Sequence, residues 1–325
     1  HYEQLLEELV DNQLSVFKRL YLKDSKIQNI IIVDDYISHI MHTLGKGQQV
    51  ITARQFNDFV DMMQKKGAEK CASELGIAQE SASLLLPSAI LVRRVLRAMK
   101  AEKIWAPGVS LADGIAYEYG EAQKYIRNAH DFDNDIIACA MNMSKRYQGD
   151  KDRNRLLENV CVSLFDSTKK LHGMGKREKL LIRIAAILND CGRFVSLEAS
   201  AECAYSIIMA TEMIGLSHAE REIVANMVRF NKTTFDYSAM MDQDSYLKIA
   251  KLTAIFRVAD GICRSYRTKI RDVKFGIRDD ELLIVADSDE EITLEKGFFG
   301  RKSQLFKEVF GITPILKQKK KTHTL

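Results

Sequence analysis

The sequence predicts a mainly helical α+β chain in three parts, and three changes of pattern carry that reading. Over residues 1–123 helical stripes alternate with short β-branched runs. Over 124–270 the strand signals vanish and one helical window follows another. Over 271–325 strands return around one helix and end in a basic tail. At roughly 150 residues per domain, 325 residues leave room for two domains and a small third, ample for a sizeable core.

In the first part, Leu5, Leu6, Leu9, Val10, Leu14, Val16 and Phe17 approximate a helical stripe. The polar KDSKIQN follows, and then the run Ile30 to Val33, which reads as a buried strand. Thr52 resembles an N-cap for a helix running to about Gly67. Pro87 is placed to open the helix through LVRRVLRAMKA, and KIWAPG reads as a strand ended by Pro107 and Gly108. The middle part carries six helical windows, from DIIACAMNMSKRY to SYLKIAKLTAIFRVADGICRSY. Within it, Gly215 marks a helix stop, and Ser217 with Glu220 three residues on forms a capping-box start. In the last part VKFGIRDDELLIVADSD reads as two strands around Asp279-Asp280, SQLFKEVFG as a short helix, ITPILK as a strand and KQKKKTH as a solvated charge run.

Composition narrows the function classes. Hydrophobic residues at 46% and charged residues at 28% exclude a disordered, collagen-like or disulfide-scaffold chain. A net charge of +4 is too modest to argue for nucleic acid as a partner, so any anion site must be local. The six cysteines contain no CxxC pair and are expected to be buried free thiols. No apolar run approaches the ~18 residues of a membrane span, and no basic-flanked leader opens the chain; a soluble, cytoplasmic protein without a membrane partner is expected. The first residue, His1, suggests a start inside a longer gene product.

The most informative stretch is AAILNDCGRFVSLEASAECAYSIIMATEMIGLSHAEREIVANMVRFN, followed by FRVADGICRS. The ordered combination of Ala185-Ala186, Asp190, Gly192-Arg193, Tyr205, Gly215-Leu216-Ser217, Glu220-Arg221 and Ala259-Asp260 resembles the HD-type helical domain of the exopolyphosphatase and guanosine pentaphosphate phosphatase family, Ppx/GppA. Upstream, LFDSTKKLHGM and GVSLADGIAYE resemble further segments of that family, so nearly all of the chain is covered. The resemblance implies a remnant of an actin-like (ribonuclease H-like) α/β domain at 1–123, an HD-type all-helical domain at 124–270 and a small α/β domain at 271–325. It also implies that the first half of the catalytic unit, with its phosphate loops and divalent metal such as Mg, lies before His1. No cofactor is expected in this chain by itself.

Against the family pattern the chemistry is depleted. Where the resemblance expects Gly-Gly-Thr after the first strand, the chain has Asp34-Asp35-Tyr36, and two carboxylates repel an anion that backbone amides would hold. A tight turn with exposed acids is the favoured reading there, ahead of a new metal site. The family's LREG turn becomes Leu111-Ala112-Asp113-Gly114, with Asp113 in a surface or capping role. The HD-type metal ligands are expected at Arg153, Asn189, Asp190, Cys203, Asn231 and Asp260, of which only Asp190 and Asp260 keep the ligand type. His39, His42, His130, His172 and His218 lie outside those positions.

Two arrangements are open for the emptied centre: Arg153 bridges Asp190 and Asp260 as a fixed cation, or it points to solvent while Asn189 and Asn231 satisfy the acids. The basic cluster Arg264, Arg267 and Lys269, with Arg271 and Lys274, is the candidate phosphate-binding site, weighed about equally against a solvated helix end. Two functions follow. One is the C-terminal portion of a Ppx/GppA-type phosphohydrolase, without turnover of its own and with no catalytic residue assigned. The other is a regulatory or binding protein for polyphosphate, a phosphorylated nucleotide or a partner subunit, with a homodimer also open.

Overall fold

The computed structural model describes residues 2–22, 25–45, 47–78, 80, 82–127, 130–236, 243–263 and 269–319. The chain divides into two compact units, His1–Ala129 and His130–Leu325, and the described residues are a mainly helical α+β arrangement with two small mixed sheets. No described helix is long and apolar enough to cross a membrane.

In the first unit α1 (Tyr2–Phe17) continues into a wider turn at Lys18–Leu22, followed by β1 (Asn29–Ile31), α2 (Asp35–Leu44), β2 (Val50–Thr52), α3 (Ala53–Lys66), α4 (Ala68–Glu74), α5 (Ala82–Met99), β3 (Lys103–Trp105) and α6 (Leu111–Ala122). β3 is the central strand, parallel to β1 and antiparallel to β2. Ile37, Phe56, Val60, Met63, Leu85 and Ile104 are buried in a core between the helices and one face of this sheet. The opposite face, carrying Ile31, Trp105 and Val50 in one register row, is exposed, and so is Val33. The expected buried strand at 30–33 is therefore shorter and half open, because a run of β-branched residues does not report how many faces of its sheet are covered.

Thr52 caps α3 through a reciprocal box with Gln55, and the helix ends at Gly67, whose φ of 92° suits only glycine well. Pro87 does not open α5. The helix starts at Ala82, and Pro87 lies inside it, beyond the first turn, so its missing N–H removes one helical hydrogen bond. Asp34 is more than part of a turn: it is the N-cap of α2, its carboxylate accepting the Ile37 N–H at 2.7 Å. Asp113, exposed in α6, forms a capping box with Ser110.

The second unit begins with α7 (Phe132–Arg146) and α8 (Lys151–Ser167), then the one-turn α9 (Lys169–His172), α10 (Lys176–Leu188), a 3-10 turn at Cys191–Phe194, α11 (Ser200–Ala210), α12 (His218–Lys232) and α13 (Gln243–Ile262). β4 (Ile270–Arg278), β5 (Glu281–Ser288), α14 (Thr293–Phe310) and β6 (Thr313–Gln318) complete it. α13 is buried along nearly its whole length from Ile249 to Ile262, as expected of a helix apolar on all sides, and α8, α10, α12 and α14 pack against it. β4 and β5 form a hairpin turning at Asp279, whose φ is 49°, and β6 returns parallel to β5 after α14. Helices and sheet share one hydrophobic core, with Phe256 and Phe306 fully buried within it. α14 has 18 residues where a short helix is expected; Gly297 and Gly300 sit inside it, tolerated because the helix packs on α13. The Ser217–Glu220 capping box forms as expected. All six cysteines are free, but only Cys71, Cys161, Cys191 and Cys263 are buried; Cys139 and Cys203 are half-buried. The tail from Lys320 lies outside the described residues.

His172 ties α8 to the start of α10. Its Nδ1 accepts the Met174 N–H at 2.9 Å, and its Nε2 donates to the Phe165 carbonyl at 2.8 Å, in a position 3% exposed. Burial lowers its pKa below 6.5, partly opposed by the bond to Phe165. The unfolded chain thus binds a proton near pH 6.5 that the native state refuses, so this group's contribution is full above that pH and is lost as pH falls below it. We expect denaturant unfolding to show stability falling between pH 7 and pH 5, and His172→Gln to flatten that slope while costing ~1–3 kcal/mol at pH 7. An unchanged slope in the variant would remove His172 from this role.

Candidate anion site around a buried arginine

Five helices place the site. Asp150 caps α8, accepting the N–H groups of Asp152 and Arg153, and so fixes Arg153 in the first turn. Asn154 anchors the same turn by donating to Ser144 Oγ and the Ile187 carbonyl, both at 2.9 Å. The chain enters through Gly149, where a Cβ would lie 2.2 Å from Ser144 Oγ. Asn189 and Asp190 follow the end of α10. The turn after them packs on α11 through Gly192, where a Cβ would stand 2.0 Å from the Ser200 carbonyl oxygen and 2.5 Å from the Ala204 nitrogen. Asp260 comes from the last turn of α13, Asn231 from the end of α12 and Lys302 from α14. α14 reaches α13 closely because Gly261 leaves room for the Lys302 Cβ, 3.0 Å from where its own Cβ would be.

The guanidinium of Arg153 bridges the two acids, with Nη1 donating to Asp190 Oδ2 at 2.5 Å and Nη2 to Asp260 Oδ1 at 2.8 Å. Arg153 is 4% exposed, Asp190 8% and Asp260 2%, so this is a buried ion triad. Lys302 Nζ lies 2.9 Å from the second Asp260 oxygen and also donates to the carbonyl and side-chain oxygens of Asn231. Lys232 Nζ donates to the Asn189 carbonyl at 2.8 Å and stands 3.5 Å from Asp190 Oδ1. Burial raises the Asp260 pKa, but Lys302 and then Arg153 outweigh it and hold the carboxyl at about 2. Burial is the largest influence on Lys232 and lowers its pKa, against the pull of Asp190 and Asp260.

Of the two arrangements open from sequence, the bridge is the one formed. Asn189 and Asn231 bond to each other, Nδ2 of Asn231 donating to Asn189 Oδ1 at 2.9 Å. Cys203 sits half-buried on α11 and is not among the residues lining the cavity; burial pushes the nearby Cys191 thiol up to about 12. The donors do not suit the divalent metal that the resemblance implies. A guanidinium bonds both aspartates, an ammonium takes the remaining Asp260 oxygen, and neutral amides stand where imidazoles are expected. Among the described residues, no three His, Cys, Asp or Glu side chains group as a metal would require.

Above the triad opens a cavity of about 540 Å³. Among the described residues, Arg153, Arg193, Lys232, Arg257, Arg301 and Lys302 line it, together with two acids, Asp190 and Asp260. Its walls therefore carry a formal excess of positive charge. Of the sequence candidates for phosphate, Arg264 and Arg267 lie outside the described residues. Lys269 stands 3.7 Å from Glu290, and Arg271 pairs with Asp287 and Asp289. Sequence reading missed Lys232, Arg257, Arg301 and Lys302, since nothing in FFGRKSQ announces that α14 lies against the last turn of α13. Arg193 was visible as part of the Gly192-Arg193 pair.

Removing one partner from a buried ion group leaves its charge uncompensated, so Arg153→Ala is expected to cost ~3–5 kcal/mol in chemical denaturation. Arg153→Lys should recover only part of this, because an ammonium lacks the fork that spans two carboxylates. A loss within the ~0.5 kcal/mol usual for surface substitutions would contradict the bridge.

Residues 137–302 match the family described as Ppx/GppA phosphatase, domain III. Among curated proteins, the chain is similar to the guanosine-5'-triphosphate,3'-diphosphate pyrophosphatase of Aeromonas hydrophila subsp. hydrophila. They are 22% identical over 209 residues, which is 63% of this chain and 40% of that protein, so the aligned part spans well under two thirds of the relative's length. The matched family segment takes in Arg153, Asp190, Asp260 and Lys302 together, and it extends over half the chain. This protein belongs to the Ppx/GppA phosphatase family.

Proposed function

We propose that the chain is the C-terminal portion of a Ppx/GppA-type phosphohydrolase whose HD-type helical domain has exchanged metal chemistry for polyanion binding. In this reading the second unit is a regulatory module. It holds a multiply charged phosphate compound, polyphosphate or a phosphorylated nucleotide, in the cavity above Arg153. The observation that carries it is the charge of that cavity: among the described residues, six cationic side chains against two acids line about 540 Å³. Arg153, Lys232 and Lys302 lie against the two aspartates, and cationic side chains outnumber acids among the described residues of the wall. Such a wall has no use for a dication and favours phosphate oxygens, which guanidinium forks address in pairs.

The first unit supports the same division of labour. It is read as the remnant of the actin-like domain, and there the Asp34 carboxylate takes the Ile37 N–H at the start of α2, where an incoming phosphate would need free amides. Turnover by this chain alone is accordingly not expected. Phosphoanhydride cleavage, and any divalent metal it needs, would belong to the preceding half of the catalytic unit.

Calorimetric titration of the chain with tripolyphosphate tests the proposal. Binding is expected to weaken steeply as salt rises, since screening lengths fall from ~10 Å at 0.1 M to ~3 Å at 1 M. Arg193→Ala with Arg301→Ala is expected to weaken it about tenfold or more, as charge-assisted bonds are worth ~1.5–3 kcal/mol each. Loss of binding in an Arg264, Arg267, Lys269 triple-alanine variant, with the Arg193 and Arg301 variant unaffected, would move the site to the basic cluster. Phosphate release from polyphosphate by the chain with Mg²⁺ would overturn the non-catalytic reading.

A further inference from the structure

Between Asp190 and α11 the chain holds a run of apolar side chains out in water: Phe194 is 54% exposed, Val195 61% and Leu197 74%. The turn that carries them is fixed by its own hydrogen bonds. The Arg193 N–H donates to the Asp190 carbonyl at 3.0 Å, the Val195 and Ser196 N–H groups both donate to the Gly192 carbonyl at 3.1 Å, and the Ala199 N–H donates to Ser196 Oγ at 3.0 Å. Gly192 is wedged against α11, and the Phe194 ring meets Tyr147 edge to face with centroids 5.9 Å apart. Exposed apolar side chains gathered on a fixed turn contribute little to the core, and such a patch marks contact with another molecule.

Leu197 lines the cationic cavity, and so do Phe298 and Arg301 of α14, with the Arg301 guanidinium 5.3 Å from the centre of the Phe298 ring. Leu294, one helical turn before Phe298, is exposed. Two separate elements therefore bring apolar side chains to the mouth of a cavity in which, among the described residues, cationic side chains outnumber acids. An occupant that uses all of this surface carries negative charge for the interior and apolar groups for the lips. A bare phosphate chain has nothing to place on the lips, and Val195, Leu197 and Leu294 are aliphatic, so they offer no ring on which a base would stack. A concave opening also receives a protruding segment better than it meets a flat bilayer.

We propose that this mouth docks a short acidic segment of a partner protein, whose carboxylates face the arginines and whose apolar side chains pack on Val195, Leu197 and Leu294. Charge complementarity selects the partner: guanidinium forks take carboxylates in pairs. Arginine and aromatic side chains together are the composition of interface anchors, and a turn already fixed in place lowers the ordering cost of binding. The docking site goes beyond the polyanion reading given under Proposed function. Peptide and phosphate chain compete for the same cations, but only the peptide uses the apolar lips, so a polyanion displaces the partner.

Fluorescence anisotropy on the whole chain tests it with three labelled peptides: glutamates interrupted by leucine and phenylalanine, the same peptide with glycine at the apolar positions, and the same peptide with lysine for glutamate. The first is expected to bind about tenfold or more tightly than either control, the scale set by burying one large apolar side chain. Leu197→Ser should weaken it about tenfold and leave tripolyphosphate affinity within about twofold. If Leu197→Ser lowers the thermal midpoint, Leu294→Ser on α14 provides the same comparison. Tripolyphosphate is expected to displace the bound peptide. Equal affinity for the first peptide and its glycine control, or no effect of either serine variant on the peptide, overturns the docking site while tripolyphosphate binding keeps the polyanion reading. Peptide binding that the serine variants weaken, in a chain that does not bind tripolyphosphate, supports the docking site and overturns the polyanion reading alone. Co-sedimentation with phosphatidylserine vesicles that Leu197→Ser abolishes, in a chain that binds none of the peptides, assigns the patch to a lipid surface and overturns the proposal.

Discussion

One guanidinium between two buried aspartates is the contact on which the geometry of the second unit depends. Asp190 and Asp260 come from helices far apart in sequence, and two carboxylates brought together away from water cannot both stay ionised without a cation. Arg153 supplies it from the first turn of α8, with one Nη aimed at each acid. A divalent ion would answer the same electrostatic need, but a side-chain cation cannot dissociate, cannot be chelated and activates no water.

The neighbouring lysines follow from the same convergence of helix ends. Lys302 and Lys232 donate to the carbonyls of Asn231 and Asn189, at the end of α12 and just beyond α10, where backbone acceptors would otherwise be left without partners. Each also lies near one of the aspartates. Once these ends are gathered around two acids, further cations stand at the rim beside them. Arg193, Arg257 and Arg301 line the same cavity, so among the described residues around it cationic side chains outnumber acids.

Much of this was legible in the sequence, for identifiable reasons. Caps are local and chemically specific, so Thr52, Ser217 and the Asp279 turn were read correctly. The Arg153 position was legible because a family pattern placed it against Asp190 and Asp260, and the fork of an arginine suits two carboxylates. Burial and length were harder to read. The Ile30–Val33 run could not reveal that one sheet face is exposed, and Gly297 and Gly300 made α14 look shorter than the packing against α13 makes it. Lys302 could not be assigned to the site at all, since its role depends on one tertiary contact, the approach of α14 over Gly261.

The central claim, that the Arg153 bridge, together with Lys302, permits Asp260 to remain charged in the interior, is tested most directly by a double-mutant cycle on unfolding free energy. The cycle joins Arg153→Met and Asp260→Asn, each alone and both together. The account predicts strong non-additivity, with the double variant less destabilised than the sum of the singles by ~1–3 kcal/mol, because the second change relieves the charge that the first leaves unpaired. Additivity within ~0.5 kcal/mol would contradict it.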